Sequence, residues 1–262
     1  MQHVKNIMMK KISNIKKKNN KYIVTLDDNN HLEFYSDTLI KYNLLKPRNV
    51  SDNEFKEILE YNLFYEAFNK ALSFISSKQR TKKELSTKLN SYSQNIINKV
   101  IKRLEDLGYL DEKMYIESFI NDQINLGCKG PIYIKKTLEK LDLNPLYIEE
   151  SLNNVEKYIW QEKIEKLINK KIKTNNNLSK NNLILKIKSY LISLGYEIDM
   201  VKDMLNQVHF QEDASILEKE YQKELKKLSK KYKEVELTSK IKYNLYKKGF
   251  NLSDIENLQN KY

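Results

Sequence analysis

The chain is poor in the residues that turn a backbone sharply, with only 5 Gly and 3 Pro in 262 residues. A β-sandwich or barrel reverses direction roughly every ten residues, and those reversals lean on Gly and Pro. An all-β fold is therefore excluded, and so is a Gly-rich loop cradling phosphates. The single cysteine, Cys128, cannot close an internal disulfide, which fits a reducing cytoplasm. It also has no activating base near it in sequence, and a nucleophile needs one. Three histidines, His3, His31 and His209, lie far apart with no carboxylate or cysteine at ligand spacing. No zinc motif can be written from them, and no metal or cofactor is expected. The acidic pairs Glu105-Asp106, Asp111-Glu112 and Glu149-Glu150 are adjacent in sequence. Neighbours on a helix point about 100° apart, so such pairs cannot jointly grip a substrate or metal. The chain is not expected to be an enzyme.

No apolar run approaches the roughly 18 residues of a membrane span. The start of the chain is basic, but its apolar patch Ile7-Met8-Met9 is too short for a secretion signal. A cytoplasmic protein with no membrane attachment is the expectation. Arginine is scarce as well: Arg48, Arg80 and Arg103 are the only three among 47 basic residues. Bidentate reading of guanine edges is mainly arginine's work, so base-specific DNA recognition is not expected.

What is present is charge and helical patterning. The 47 basic residues outnumber 35 acidic ones, for a net charge of +12. That balance favours an anionic partner, nucleic acid ahead of membrane. A hydrophobic share of 40% supplies a real core and argues against disorder. The first fifty residues hold two β-type runs, Lys21 to Leu26 and His31 to Tyr35, separated by Asp27-Asp28-Asn29-Asn30. Ile12 to Lys18 supplies a third strand, giving a small antiparallel sheet. A short helix follows from Asp37 to Asn43, stopped before Pro47. Ser51-Asp52-Asn53-Glu54 reads as a capping box opening a further helix.

From Leu63 onward only helical periodicity is visible. Phe64, Ala67, Phe68, Ala71 and Ile75 form one stripe at three-and-four spacing. Thr81-Lys82-Lys83-Glu84 is a second capping box, and a third helix runs from Ser93 to Gly108. This three-helix unit recurs. An aromatic residue or Leu closes each second helix, and an Ile or Val follows five residues later: Tyr92/Ile97, Leu143/Ile148, Tyr196/Val201 and Phe250/Ile255. Leu138, Leu191 and Leu245 precede the last three anchors at a constant spacing. Asp111 caps a helix, Pro131 and Pro145 suit first helical positions, Gly195 and Gly249 end helices, and Ser253 to Glu256 starts one. The reading is a mainly α protein: an N-terminal strand-rich segment (1–62), then four tandem three-helix repeats stacked in line. Their bounds are 63–110, 111–155, 156–208 and 209–262.

The first repeat is the most basic per residue, and its neighbour is acidic. The candidate contact residues follow from this. Arg80, Lys82 and Lys83 sit at a helix N-terminus, where cations oppose the dipole and so hint at an outside anion. Lys102 and Arg103 lie off the buried stripe, and Lys135 and Lys136 flank the apolar Ile134. Lys129 sits in Gly127-Cys128-Lys129-Gly130, which has the form of a KH-domain clamp but lacks the strands that clamp requires. A plain exposed loop between helices is the expectation there. The mixed-charge run from Lys219 to Lys233 reads as a solvated helix.

The stretch Ala71 to Leu85 resembles the opening of RecX proteins. So does Leu107-Gly108-Tyr109-Leu110-Asp111-Glu112, followed by Phe119 and then Gly127 to Pro131. Glu112 stands where the family has a second aspartate, and two residues rather than one separate the glycines. Leu141-Asp142-Leu143 replaces the usual Lys-Gly helix ending, which Lys247-Lys248-Gly249-Phe250 keeps. The segment Asp37 to Tyr42 is similar to that of longer family members. The resemblance implies an elongated array of three-helix repeats that binds the RecA filament on DNA and restrains its extension, ATP hydrolysis, strand exchange and coprotease activity. It implies no catalytic residues and no cofactor. The expected partners are the RecA filament and, without sequence preference, single- or double-stranded DNA, and the expected state is a monomer. A general helical-repeat DNA-binding protein or transcription factor is the alternative.

Overall fold

The structure, a computed structural model, describes residues 9–175, 177–210 and 214–261; His3 and the Ile7-Met8 patch lie outside them. The chain divides into two compact units, Met1–Tyr115 and Ile116–Tyr262.

The first unit opens with strands β1 (Met9–Lys18), β2 (Lys21–Leu26) and β3 (His31–Phe34), then helix α1 (Ser36–Lys41) and strand β4 (Arg48–Ser51). The strands form one antiparallel sheet in the order β3-β2-β1-β4. Asn19 and Asn29 take the left-handed conformation at the two tight turns, as their short polar side chains allow. The sheet has four strands where the sequence suggests at most three. Arg48–Ser51 is too short to show alternation, and it becomes a strand only by pairing with Met9 to Ile12. One face of the sheet buries Ile12, Val24, Leu26, Phe34 and Val50 against Leu39 and against Phe55 and Ile58 of the next helix.

That helix, α2 (Asp52–Ser77), is 26 residues long. It runs without a break through the expected segment boundary at residue 62, so it belongs both to the sheet and to the first helical triplet. Ser51 accepts from the Glu54 amide at 3.3 Å, but the Glu54 carboxylate pairs with Arg48 of β4. Only half of the expected capping box therefore forms; a guanidinium brought alongside by the sheet outcompetes the Ser51 amide. Asn62, almost fully buried, fastens the helix to the strand end. Its Oδ1 accepts from Tyr35 N (3.0 Å) and Thr38 Oγ1 (3.2 Å), and its Nδ2 donates to Glu33 O (2.9 Å). Asn62→Leu leaves the Tyr35 amide and the Thr38 hydroxyl without this acceptor. A loss of about 2–3 kcal/mol is expected in urea unfolding of the first unit.

Beyond Asn62, Ala67 and Ala71 pack against α3 (Lys82–Lys88) and α4 (Gln94–Asp106), burying Leu85, Leu89, Val100 and Leu104. Here local sequence is decisive. Thr81 and Glu84 form both arms of a capping box, and Ser93 caps α4.

The helices that follow are α5 (Glu112–Asn125), α6 (Pro131–Glu139) and α7 (Pro145–Asn153), then α8 (Lys157–Lys173), α9 (Lys180–Ser193) and α10 (Ile198–Gln207). The last are α11 (Ala214–Leu228), α12 (Glu234–Lys247) and α13 (Leu252–Gln259). Asp111 caps α5 by accepting from Met114 N at 2.9 Å. Of the repeat anchors, Leu143 and Tyr196 are buried and Tyr92 and Phe250 half-buried, while the residues on either side of the last three, Leu138 and Ile148, Leu191 and Val201, Leu245 and Ile255, are all fully buried. The final helix starts earlier than Ser253, with Asn251 as its N-cap residue. The run after Lys219 is not solvated all round, since Tyr221 and Glu224 are buried on its inner side.

Candidate partner-binding surface and repeat joints

Within the second unit, successive triplets are joined twice at the same places in the repeat, by backbone amides in the first joint and by side chains in the second. The first turn of α6 meets the last turn of α9: Gly130 N donates to Leu194 O (2.8 Å) and Ile132 N to Gly195 O (3.0 Å). The first turn of α9 meets the last turn of α12: Ser179 Oγ and Asn182 Nδ2 donate to Lys248 O, and Asn181 Nδ2 to Gly249 O (3.0 Å). Each helix start leaves amides without intrahelical partners, and each helix end leaves carbonyls. Carbonyls from the helix end supply acceptors at the next helix start, and dipole ends of opposite sign meet. Gly195 and Gly249 have φ of +88° and +80°, the left-handed closure that glycine adopts without strain. Asp142 holds the corresponding left-handed place (φ +57°) at the end of α6, which explains how the chain departs there from a Lys-Gly ending.

The Gly127 to Gly130 segment is thus more than a plain loop, because it forms one side of a joint. Lys163 of α8 donates to Ile124 O (2.6 Å) and Gly127 O (2.9 Å), and the Tyr196 hydroxyl donates to Cys128 O (3.2 Å). Burial lowers the Lys163 pKa and raises that of the Tyr196 phenol. Lys163 does not stand out in sequence, and Tyr196 does so only as a repeat anchor, because each donates to backbone far away in the chain. Lys129, expected to be exposed, is half-buried with its ammonium 4.3 Å from the Tyr133 ring centre.

The other basic candidates separate by environment. Arg80 pairs with Glu84 at 3.5 Å, and Lys82 pairs with Glu105 of α4. Two of the three cations that hinted at an outside anion therefore have carboxylate partners within the fold. Lys83 is exposed in the first turn of α3. Lys135 is half-buried and Lys136 exposed, on either side of the buried Ile134. Lys102 and Arg103 are exposed on α4, and no ion pair engages either among the described residues. The structure groups Arg80, Lys82, Lys83, Lys102 and Arg103 in the first unit, and Lys129, Lys135 and Lys136 in the second.

Lys102 and Arg103 line a groove of about 450 Å³ formed by α1, α2 and α4. Its floor is aromatic. Tyr61 lies 5.5 Å from Tyr42, edge to face, and 6.1 Å from Phe64, with Ile96 buried beside them. Burial raises the pKa of Tyr42, and burial with a hydrogen bond to Tyr61 raises that of neighbouring Tyr65, so both phenols are neutral at physiological pH. Charges of both signs line the groove. Lys99, Lys102 and Arg103 share one face of α4, three and four residues apart, with Asp106 following at the end of the same helix, and Glu57 and Glu60 line the α2 side. Lys99 bridges to Glu60 at 2.8 Å, and the Lys41 ammonium rests 3.6 Å from the Tyr61 ring centre. Sequence patterning finds Lys102, Arg103 and the Phe64 stripe. It misses Tyr42 and Tyr61, which join the groove only when α1 folds against α2.

Among the described residues, no helix is long and apolar enough to cross a membrane, and no group of three or more His, Cys, Asp or Glu could hold a metal ion. A small antiparallel sheet followed along the chain by tandem helical triplets defines a helical-repeat protein. The profile of the "RecX, first three-helix domain" matches residues 67–104. Regulatory protein RecX of Streptococcus uberis is 31% identical over 255 residues, covering 95% of this chain and 98% of that one. That of Streptococcus sanguinis is 30% identical, covering 96% and 99%. Among solved structures, a regulatory protein RecX superposes with a TM-score of 0.64 at 21% identity, over 76% of this chain and 100% of that one. RecX from Lactobacillus salivarius does so with 0.51 at 29% identity, over 55% and 95%. The chain belongs to the RecX family of regulatory proteins.

Proposed function

We propose that this protein, a regulator of RecA, binds the RecA–DNA filament and inhibits its extension, ATP hydrolysis and strand exchange, without catalysing a reaction of its own. The observation that carries the reading is kinship over nearly the full length of proteins named as RecX regulators. Physical features support it. Tandem repeats offer an extended surface suited to a polymeric partner. The net charge of +12 favours an anionic one, with exposed Lys83, Lys102, Arg103 and Lys136 among the contributors. In this reading the protein acts as a cytoplasmic monomer and touches DNA, single- or double-stranded, without reading its sequence. Two of the three arginines, Arg48 and Arg80, are occupied by Glu54 and Glu84, which leaves little for reading bases.

Substoichiometric protein is expected to lower RecA's DNA-dependent ATP hydrolysis. No change at stoichiometric amounts would reject the proposal. Tight binding to naked duplex with a steep salt dependence, and no effect on RecA, would instead establish a general DNA-binding protein.

A further inference from the structure

We propose that the groove between α1, α2 and α4 receives an acidic polypeptide segment of the recombinase, anchored by an apolar or aromatic side chain on the floor of Tyr42, Tyr61 and Phe64. The inference rests on the filament-binding reading above and assigns that reading a contact site. A cavity of about 450 Å³ accommodates a short stretch of side chains, not a folded domain. Its floor is a cluster of half-buried rings, the kind of surface on which an inserted anchor gains most from losing water.

The charges decide what kind of chain enters. On the α4 side, Lys102 and Arg103 stand exposed with no ion-pair partner among the described residues, and the flat guanidinium of Arg103 suits a carboxylate held by two hydrogen bonds. Lys41 adds a further cation to the lining. Carboxylates line the groove as well: Asp106 at the end of α4, and Glu57 and Glu60 on the α2 side, of which Glu60 is already matched by Lys99. A nucleic acid strand carries phosphate along its whole length and would meet these carboxylates; a polypeptide can place its acids on Lys102 and Arg103 and present neutral or basic groups to Asp106 and Glu57. The site is also preorganised. One continuous helix, α2, carries Tyr61 and Phe64 and is fixed to the sheet by Asn62 and to α4 through their shared core. Little ordering entropy is therefore left to lose on binding.

The test measures binding of the full chain to RecA filaments assembled on poly(dT) with a non-hydrolysable ATP analogue, and separately to naked poly(dT). The double substitution Lys102→Glu with Arg103→Glu changes only exposed side chains. It is expected to weaken filament binding by about 30-fold and naked-DNA binding by less than about 3-fold. Tyr61→Ala, with the fold checked by circular dichroism, is expected to weaken filament binding by at least about 10-fold with naked-DNA binding unchanged. Equal losses on filament and naked DNA would overturn the inference in favour of a nucleic-acid groove. Unchanged filament binding by the charge-reversed protein would overturn it outright while leaving the regulatory reading intact. Failure of the unsubstituted protein to bind filaments would remove that reading itself.

Discussion

Gly195→Ala is expected to destabilise the second unit by about 3 kcal/mol, while Gly108→Ala costs the first about 1 kcal/mol. Both glycines end helices with positive φ, +88° and +74°, so a methyl group at either place meets the same left-handed penalty. They differ in what surrounds them. A Cβ on Gly108 would meet nothing within 4 Å, whereas one on Gly195 would stand 2.6 Å from Tyr133 Cβ and 3.0 Å from Tyr133 Cα. The backbone cannot draw back without stretching the bonds from Gly130 and Ile132 that make the joint. Gly249→Ala falls between the two, because its neighbours are the side-chain ends of Ser179 and Asn182, which can move. Urea unfolding of the three variants checks the order. Similar losses at 108 and 195 would show that close approach at the joint contributes nothing beyond backbone conformation.

Lys248→Met is expected to cost about 2 kcal/mol at neutral pH and to change how the last triplet responds to acid. Lys248 Nζ donates to Glu220 and Glu224, both at 2.7 Å. Glu224 is almost fully buried and also accepts from Asn244 Nδ2 at 2.9 Å. Breaking a fully buried pair costs about 3–5 kcal/mol, and the figure is reduced here because Lys248 is 37% exposed. Burial pushes the Glu224 carboxyl up, but the hydrogen bonds from Lys248 and Asn244 outweigh it and leave its pKa below the ordinary 4.5. Glu220 is lowered as well, chiefly by Lys248. Lys248 itself is raised above 10.5, because its bonds to the two glutamates overcome burial. Carboxyls held low contribute stability that is complete above 4.5 and fades as pH falls through their folded values. The raised ammonium contributes stability that is complete below 10.5 and fades as pH climbs through its folded value. Urea midpoints of the native protein should thus be flat between these limits and fall on the acid side. In Lys248→Met, burial dominates at Glu224 and the acid-side fall should shrink or reverse. An unchanged acid-side profile would refute the pairing as a source of stability.

The two expectations show how differently parts of this molecule could be read in advance. Gly195 and Gly249 were recognisable as helix ends, because a left-handed closing residue leaves a mark within a few positions. Thr81 with Glu84, Ser93 and Asp111 were recognisable as helix starts for the same reason. The buried leucines Leu138, Leu191 and Leu245, five residues before the last three anchors, showed through the helical period. Lys163, Asn62 and the Lys248–Glu224 pair carried no such mark. Each is one lysine, asparagine or glutamate among many until the chain brings its distant partner alongside.

The sequence by itself therefore determined the helical class, the recurring triplets with their buried leucines, and the exposed Lys102 and Arg103. All of these depend on interactions within one or two turns of the same helix. Tertiary structure alone decided that Arg48–Ser51 is a strand, that α2 runs unbroken past residue 62, and that Gly130 meets Gly195. It also decided that Tyr42, Tyr61 and Arg103 line one groove. Those outcomes require backbone hydrogen bonds and ring contacts between residues far apart in the chain, and no local pattern encodes which distant partner will be there.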